Sequence, residues 1–221
     1  MDLERRAGVI VGSLLITHMA GSALVNFRLE APLFGEPGFL VNAAAHGSQI
    51  GLSALVGIAL GAVFSGIAIT VFPIVRAHSL AMALWLLVFG PVVLAIAVVE
   101  QASVMSMVTI SEAYAKAPAA TRDQFQTLRV VVAAARNWPH FLARVMDGVA
   151  GFLFYATLVR FALVPRTLAA PGLVTAAMQI TGVAQPLFGH DVVFPLLAPM
   201  GLAQLALALW LLVKGFRRRP A

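Results

Sequence analysis

The 221-residue chain has no cysteine, and only 11% of its residues are charged. Without cysteine there are no disulfides, thiolate metal sites, cysteine nucleophiles or covalent c-type haem, and the redox compartment stays undetermined. So little charge excludes a soluble domain, whose surface needs far more of it. Lys116 and Lys214 both flank apolar segments, which leaves no lysine inside a span for a retinal Schiff base. His-Glu-x-x-His, P-loop, GxSxG and GxGxxG motifs are missing from any context that would give them meaning. No two of the five histidines stand at metal-ligand spacing on one helix. His18 and His140 differ in depth by about 12 Å at 1.5 Å of rise per residue, which excludes bis-histidine haem. The sequence therefore calls for no cofactor and no metal. A hydrolase with His140 as base has only Ser103 or Ser106 as a weak nucleophile, and no catalytic residue is assigned.

What is present is apolar length. The chain is 61% hydrophobic, with a mean hydropathy of +0.94. Several runs reach the roughly 20 residues needed to cross a ~30 Å hydrocarbon core. The formal charge of +6 does not indicate nucleic acid, because most basic residues flank apolar runs and none belongs to a nucleic-acid motif. The apolar stretch from Ala7 to Phe27 is too long for a signal peptide and reads as a retained first helix.

The pattern predicts an all-α fold, a polytopic transmembrane helix bundle forming one domain over 1–221. Its six spans cover about 7–29, 39–75, 79–115, 140–161, 167–187 and 192–213. The second and third helices are overlong, and Pro91 is expected to kink the third. Ser79 is placed to cap that helix. Thr121-Arg122-Asp123-Gln124 reads as a capping box opening an amphipathic outer helix over 122–137, which carries Arg122, Arg129 and Arg136 at seven-residue intervals and breaks at Trp138-Pro139. With both termini in the cytoplasm, the inner connections hold Arg5, Arg6, Arg76, Arg160, Arg166, Lys214, Arg217, Arg218 and Arg219. The outer ones hold Glu30, Glu36, Glu112, Asp123 and Asp191, offset partly by Lys116 and Arg122, so the positive-inside rule gives N-in, C-in. Gly47, Gly51, Ser53, Gly57, Gly61 and Ser65 let backbones approach closely. That spacing suits packing inside the bundle or a homo-oligomer through the Gly57/Gly61/Ser65 face.

Ionisable groups inside spans are costly and mark sites, pathways or paired contacts. His18, Asp147 and Gln179 fall about 18–20 Å from the cytoplasmic face, and Asn26, Glu100, His140, Arg144 and Gln185 at about 24–30 Å. His140, Arg144 and Asp147 share one helix face. Glu100 falls level with His140, and His46, Gln49, Arg136 and Asn137 lie above. These positions predict a polar pocket open to the outer side, between the third and fourth helices. Its residues would be Glu100, His140, Arg144, Asp147, Asn26, His46, Arg136 and His18, with a Glu100–Arg144 ion pair and His18 near Asp147.

The segments Glu4-Arg5-Arg6-Ala7-Gly8-Val9-Ile10, Pro32-Leu33-Phe34-Gly35 and Val99-Glu100-Gln101-Ala102-Ser103 carry a resemblance. So do Ala134-Ala135-Arg136-Asn137-Trp138, Leu163-Val164-Pro165-Arg166 and Leu211-Leu212-Val213-Lys214-Gly215-Phe216. Together they resemble an uncharacterised bacterial family of six-helix membrane proteins, domain of unknown function 4386, over essentially the whole chain. The resemblance implies a bacterial inner-membrane, multi-pass protein and supplies no activity. Three functions stay open. One is binding or modification of a lipid-like or apolar small molecule in the outer pocket, with membrane lipids as neighbours. The others are a small transporter or channel, and a structural or regulatory membrane protein without a ligand.

Overall fold

The computed structural model describes residues 2–217. Arg218 and Arg219, counted above among the basic anchors, lie outside the described residues. Every regular element among the described residues is helical. An apolar chain in lipid satisfies its backbone donors and acceptors within each segment, which selects helices.

Helix α1 (Leu3–Leu24) continues into a π turn (Val25–Leu29), followed by the short α2 (Ala31–Phe34) and α3 (Phe39–Asn42). The long helices are α4 (Gly47–Arg76), α5 (Leu80–Lys116) and α6 (Arg122–Arg160), and the chain closes with α7 (Arg166–Ala184) and α8 (Ala198–Lys214). Six helical segments are long and apolar enough to cross a membrane: Leu3–Leu29, Phe39–Arg76, Leu80–Lys116, Ala119–Arg160, Arg166–Phe188 and Phe194–Lys214. The second and third of these have 38 and 37 residues, well beyond the roughly 20 that a bilayer needs.

Two local expectations are overturned. Trp138-Pro139 does not break the amphipathic helix from the span, because α6 runs unbroken through Pro139. A proline removes one donor from the ladder. In spanning helices, neighbouring groups make good that loss, so the helix continues. The capping box is not formed either: the Thr121 hydroxyl donates to the Pro118 carbonyl at 3.0 Å. Ser79 does cap α5, accepting the Met82 N–H at 3.3 Å.

The chain folds into two compact units. Unit 1 comprises 2–19, 62–94 and 141–217 of the described residues; unit 2 comprises Ala20–Gly61 and Ala95–His140. The core of unit 1 is built on Val11, Val71, Leu86, Tyr155, Leu158, Leu207 and Leu211. Its two chain ends are tied together: Arg5 Nη1 donates to the Leu211 and Leu212 carbonyls at 3.2 and 2.6 Å, and the Phe216 N–H to the Glu4 carbonyl at 3.2 Å. Gly8 permits this approach, since a Cβ there would lie 2.5 Å from Gly215 Cα. Ser65 packs on Gly90 in the same unit.

Unit 2 has its own core of Leu33, Phe39, Leu40, Ala43, Ile50, Val104, Met107 and Val108. Its polar contacts complete backbone groups that the short helices leave open. Ser111 Oγ donates to the Leu40 carbonyl at 3.0 Å and accepts the Ala44 N–H at 2.8 Å. Gln49 Nε2 donates to the Arg28 and Leu29 carbonyls at 2.8 and 3.1 Å, satisfying acceptors at the end of the first helix. Gly57 lies against Gln101, whose Nε2 would be 2.6 Å from a Cβ there.

Candidate functional site: a buried ion cluster in unit 2

The π turn at the end of α1 sets the first member of the cluster. Its closing bond runs from the Glu30 N–H to the Val25 carbonyl, five residues back, at 2.9 Å. A wider turn of this kind shifts the residues that follow it around the helix axis, and such turns recur at functional sites. Glu30, which the charge pattern assigns to an outer connection, is thereby carried inward and is 1% exposed.

Arg136 comes from α6. Of the three arginines at heptad spacing, Arg122 and Arg129 are exposed, while Arg136 is buried. Its Nη2 lies 3.0 Å from Glu30 Oε2 and 3.6 Å from Glu100 Oε1. The guanidinium stands over the Phe34 ring at 4.8 Å from its centroid, a cation–π contact strengthened by desolvation. His140, one turn further along α6 and so on the same face, places Nδ1 2.7 Å from the same Glu100 oxygen. The result is a chain of four groups: carboxylate, guanidinium, carboxylate, imidazole.

Exposure rises along that chain. The side chains of Glu30, Arg136 and Glu100 are 1%, 6% and 6% exposed, and that of His140 is 24% exposed. His140 is therefore the end that meets the surroundings. At the other end, burial pushes the Glu30 carboxyl above its ordinary value. The Arg136 charge opposes that shift, Glu100 adds to it, and His140 together with the Arg136 hydrogen bond opposes it. Glu30 Oε1 and Arg136 Nε are buried without a hydrogen-bond partner, so the cluster is incompletely satisfied by the protein itself.

The cluster thus unites Glu100, Arg136 and His140 of the predicted site residues. Glu100 is engaged by Arg136 and His140, and Arg144 Nη1 bonds Asp147 Oδ2 at 3.0 Å, three residues along its own helix, a spacing at which two side chains meet at little entropic cost. In unit 1, Arg144 and Asp147 lie within range of the half-buried His18, which feels both charges. Gln179 Nε2 reaches the Arg144 carbonyl at 3.5 Å. Asn26 and His46 are exposed: Asn26 Nδ2 donates to the Ser22 carbonyl at 2.8 Å, and His46 Nδ1 lies 2.9 Å from the Asn42 carbonyl oxygen. Glu30 and Phe34 were not singled out by the sequence. A carboxylate between Leu29 and Ala31, at the end of an apolar helix, is the signal that points to Glu30.

Among the described residues no group of three or more His, Cys, Asp or Glu is placed to hold a metal ion. The apolar helices and the buried charges define an integral, multi-pass membrane protein. It belongs to the family described as a domain of unknown function, DUF4386, which matches residues 10–215. No curated protein and no solved structure matches the chain.

Proposed function

We propose that this is a bacterial inner-membrane protein, with both termini in the cytoplasm, that binds a lipid-like or otherwise amphipathic small molecule at the Glu30–Arg136–Glu100–His140 cluster. The observation that carries this reading is the exposure gradient. Three buried ionic groups are held in a fixed row, and a partly exposed imidazole stands at the end of that row. Ionisable groups at this depth in an apolar protein are expensive, and a binding role is the default reading for them. The apolar surroundings of unit 2 suit the hydrocarbon part of such a molecule, and the basic inner connections support the orientation.

The competing reading is a structural lock, in which the ion pairs hold helices in register without a ligand. Glu100→Gln separates the two. Under the binding reading, the thermal midpoint of the purified protein changes little while ligand binding is lost. A large loss of folded protein on Glu100→Gln, recovered when Arg136→Met and Glu30→Gln are added together so that no buried charge is left unpaired, would establish the lock instead.

A further inference from the structure

A second polar layer lies in unit 1 and shares no residue with the ion cluster. By rise per residue His18, Asp147 and Gln179 stand at one depth, and the burial of their neighbours supplies direction. His18 continues the buried face of α1, three residues on from Leu15 and seven from Val11. Asp147 shares a face of α6 with the buried Ala150 and Phe154, and Gln179 a face of α7 with the buried Ala176 and Val183. Ionisable groups on core-facing positions of spanning helices are costly and by default mark a site. Arg144, one turn from Asp147, holds that carboxylate through Nη1 at 3.0 Å, and its side chain is 35% exposed. Its Nε is buried without a partner, and Gln179 Nε2 reaches its carbonyl at only 3.5 Å. Among the described residues the His18 ring makes no hydrogen bond, and the charges acting on it are those of Asp147 and Arg144. The charged residues of α4, α7 and α8 are Arg76, Arg166 and Lys214, each at a helix end. Glu4, Arg5, Arg6 and Arg160 are likewise terminal in α1 and α6.

We infer that this layer binds a monoanionic amphiphile together with one proton. Donors outnumber acceptors in it: a guanidinium has five N–H groups and the Gln179 amide two more, against one carboxylate that Arg144 already engages. Anionic oxygens suit the N–H groups that Asp147 leaves over. Arg144 and Asp147 cancel in charge, so an anion alone would leave a net charge in a desolvated layer, which is costly. A proton from solvent, taken by the His18 imidazole, restores neutrality, and imidazole is the side chain whose charge ordinarily changes near neutral pH. A cation finds no such compensation, because arginine does not give up its charge. A carboxylate and a phosphodiester both carry the single charge required, whereas a phosphate monoester carries up to two. The layer stands or falls independently of ligand binding at the cluster of unit 2.

The test uses the full-length protein in weakly buffered solution of an uncharged detergent, titrated with sodium decanesulfonate. The sulfonate stays ionised throughout, so any proton taken up goes to the protein. Heat of binding and proton uptake are followed together. Decanesulfonate is expected to bind and to bring in about one proton per molecule bound. Its affinity should fall about tenfold per unit as pH rises through the range of uptake, as one-for-one linkage requires. His18→Gln should lose the uptake and, at the acidic end of that range, weaken binding at least tenfold; micelle partitioning is common to both proteins and cancels in the comparison. If His18→Gln does not fold, uptake by the wild-type protein still reads the coupling, and binding without uptake would overturn it. Displacement of the bound probe by decanoate or by dihexyl phosphate supports the monoanion assignment and tells a carboxylate from a phosphodiester. Decyltrimethylammonium binding that depends on His18 would overturn that assignment. Equal decanesulfonate binding by folded wild type and variant would overturn the layer as a site and leave the unit 2 reading untouched.

Discussion

His140 Nδ1 lies 2.7 Å from Glu100 Oε1, across 40 residues of chain, and Arg136 Nη2 approaches the same oxygen at 3.6 Å. One face of α6 thus sets two cationic or cation-forming groups, a turn apart, on a single carboxylate of α5. Beyond Arg136 lies Glu30, so that the guanidinium serves two buried carboxylates at once.

Arg136 is consequently the member whose loss costs most. Arg136→Met leaves both carboxylates buried without their shared partner. Removing one side of a buried pair typically costs about 3–5 kcal/mol. A large drop in thermal midpoint is expected, partly restored when Glu30→Gln is added. Unfolding in detergent, followed by tryptophan fluorescence, measures both.

Glu30 gives stability a pH dependence of known sign. Burial, with Glu100 in support and Arg136 in opposition, raises its carboxyl above the ordinary 4.5. The folded state therefore holds the proton to higher pH than the unfolded chain. Its stabilising contribution is fully present below 4.5 and is lost as pH rises through the raised value. Glu30→Gln should flatten that part of the profile, and thermal midpoints measured across acidic to neutral pH in both proteins check it.

In unit 1, Gly172 faces the ring of Tyr155, which a Cβ would overlap. Both residues are buried, and Tyr155 belongs to the core. Gly172→Ala should destabilise by about 1–3 kcal/mol through overpacking, despite alanine's better helix propensity. Gly201→Ala, where a Cβ meets open space, is the control and should be neutral or slightly stabilising.

Arg5 and Arg6 are neighbours with different roles. Arg5 donates to two carbonyls in the last turn of α8, where a cation also meets the negative end of the helix dipole, whereas Arg6 is exposed. Arg5→Ala should lower stability by about 0.5–2 kcal/mol and Arg6→Ala by much less. Thermal melts of the two variants side by side give the difference.

The proposed orientation is open to direct labelling, because the chain has no cysteine of its own. Glu36→Cys should react with a membrane-impermeant maleimide in intact cells, and His78→Cys only after permeabilisation. The reverse pattern would invert the topology.

The spans were legible because apolar length and flanking arginines are one-dimensional signals. So was the common level of Glu100 and His140, since rise per residue fixes depth. What the sequence hid is angular. The π turn at Val25–Leu29 has no composition of its own, yet it moves Glu30 from a connection into the interior. Depth gives no direction around an axis, so it did not single out Arg136 as a partner of Glu100. The continuity of α6 through Pro139 was missed because the proline rule describes helices in water, where a broken ladder has an alternative partner in solvent.

The most direct test of the binding account is native mass spectrometry of the protein purified in mild detergent, wild type beside Glu100→Gln. The account predicts a small-molecule adduct on the wild-type protein that the folded variant has lost. Identical spectra from two equally folded proteins, with or without bound molecules, would contradict it.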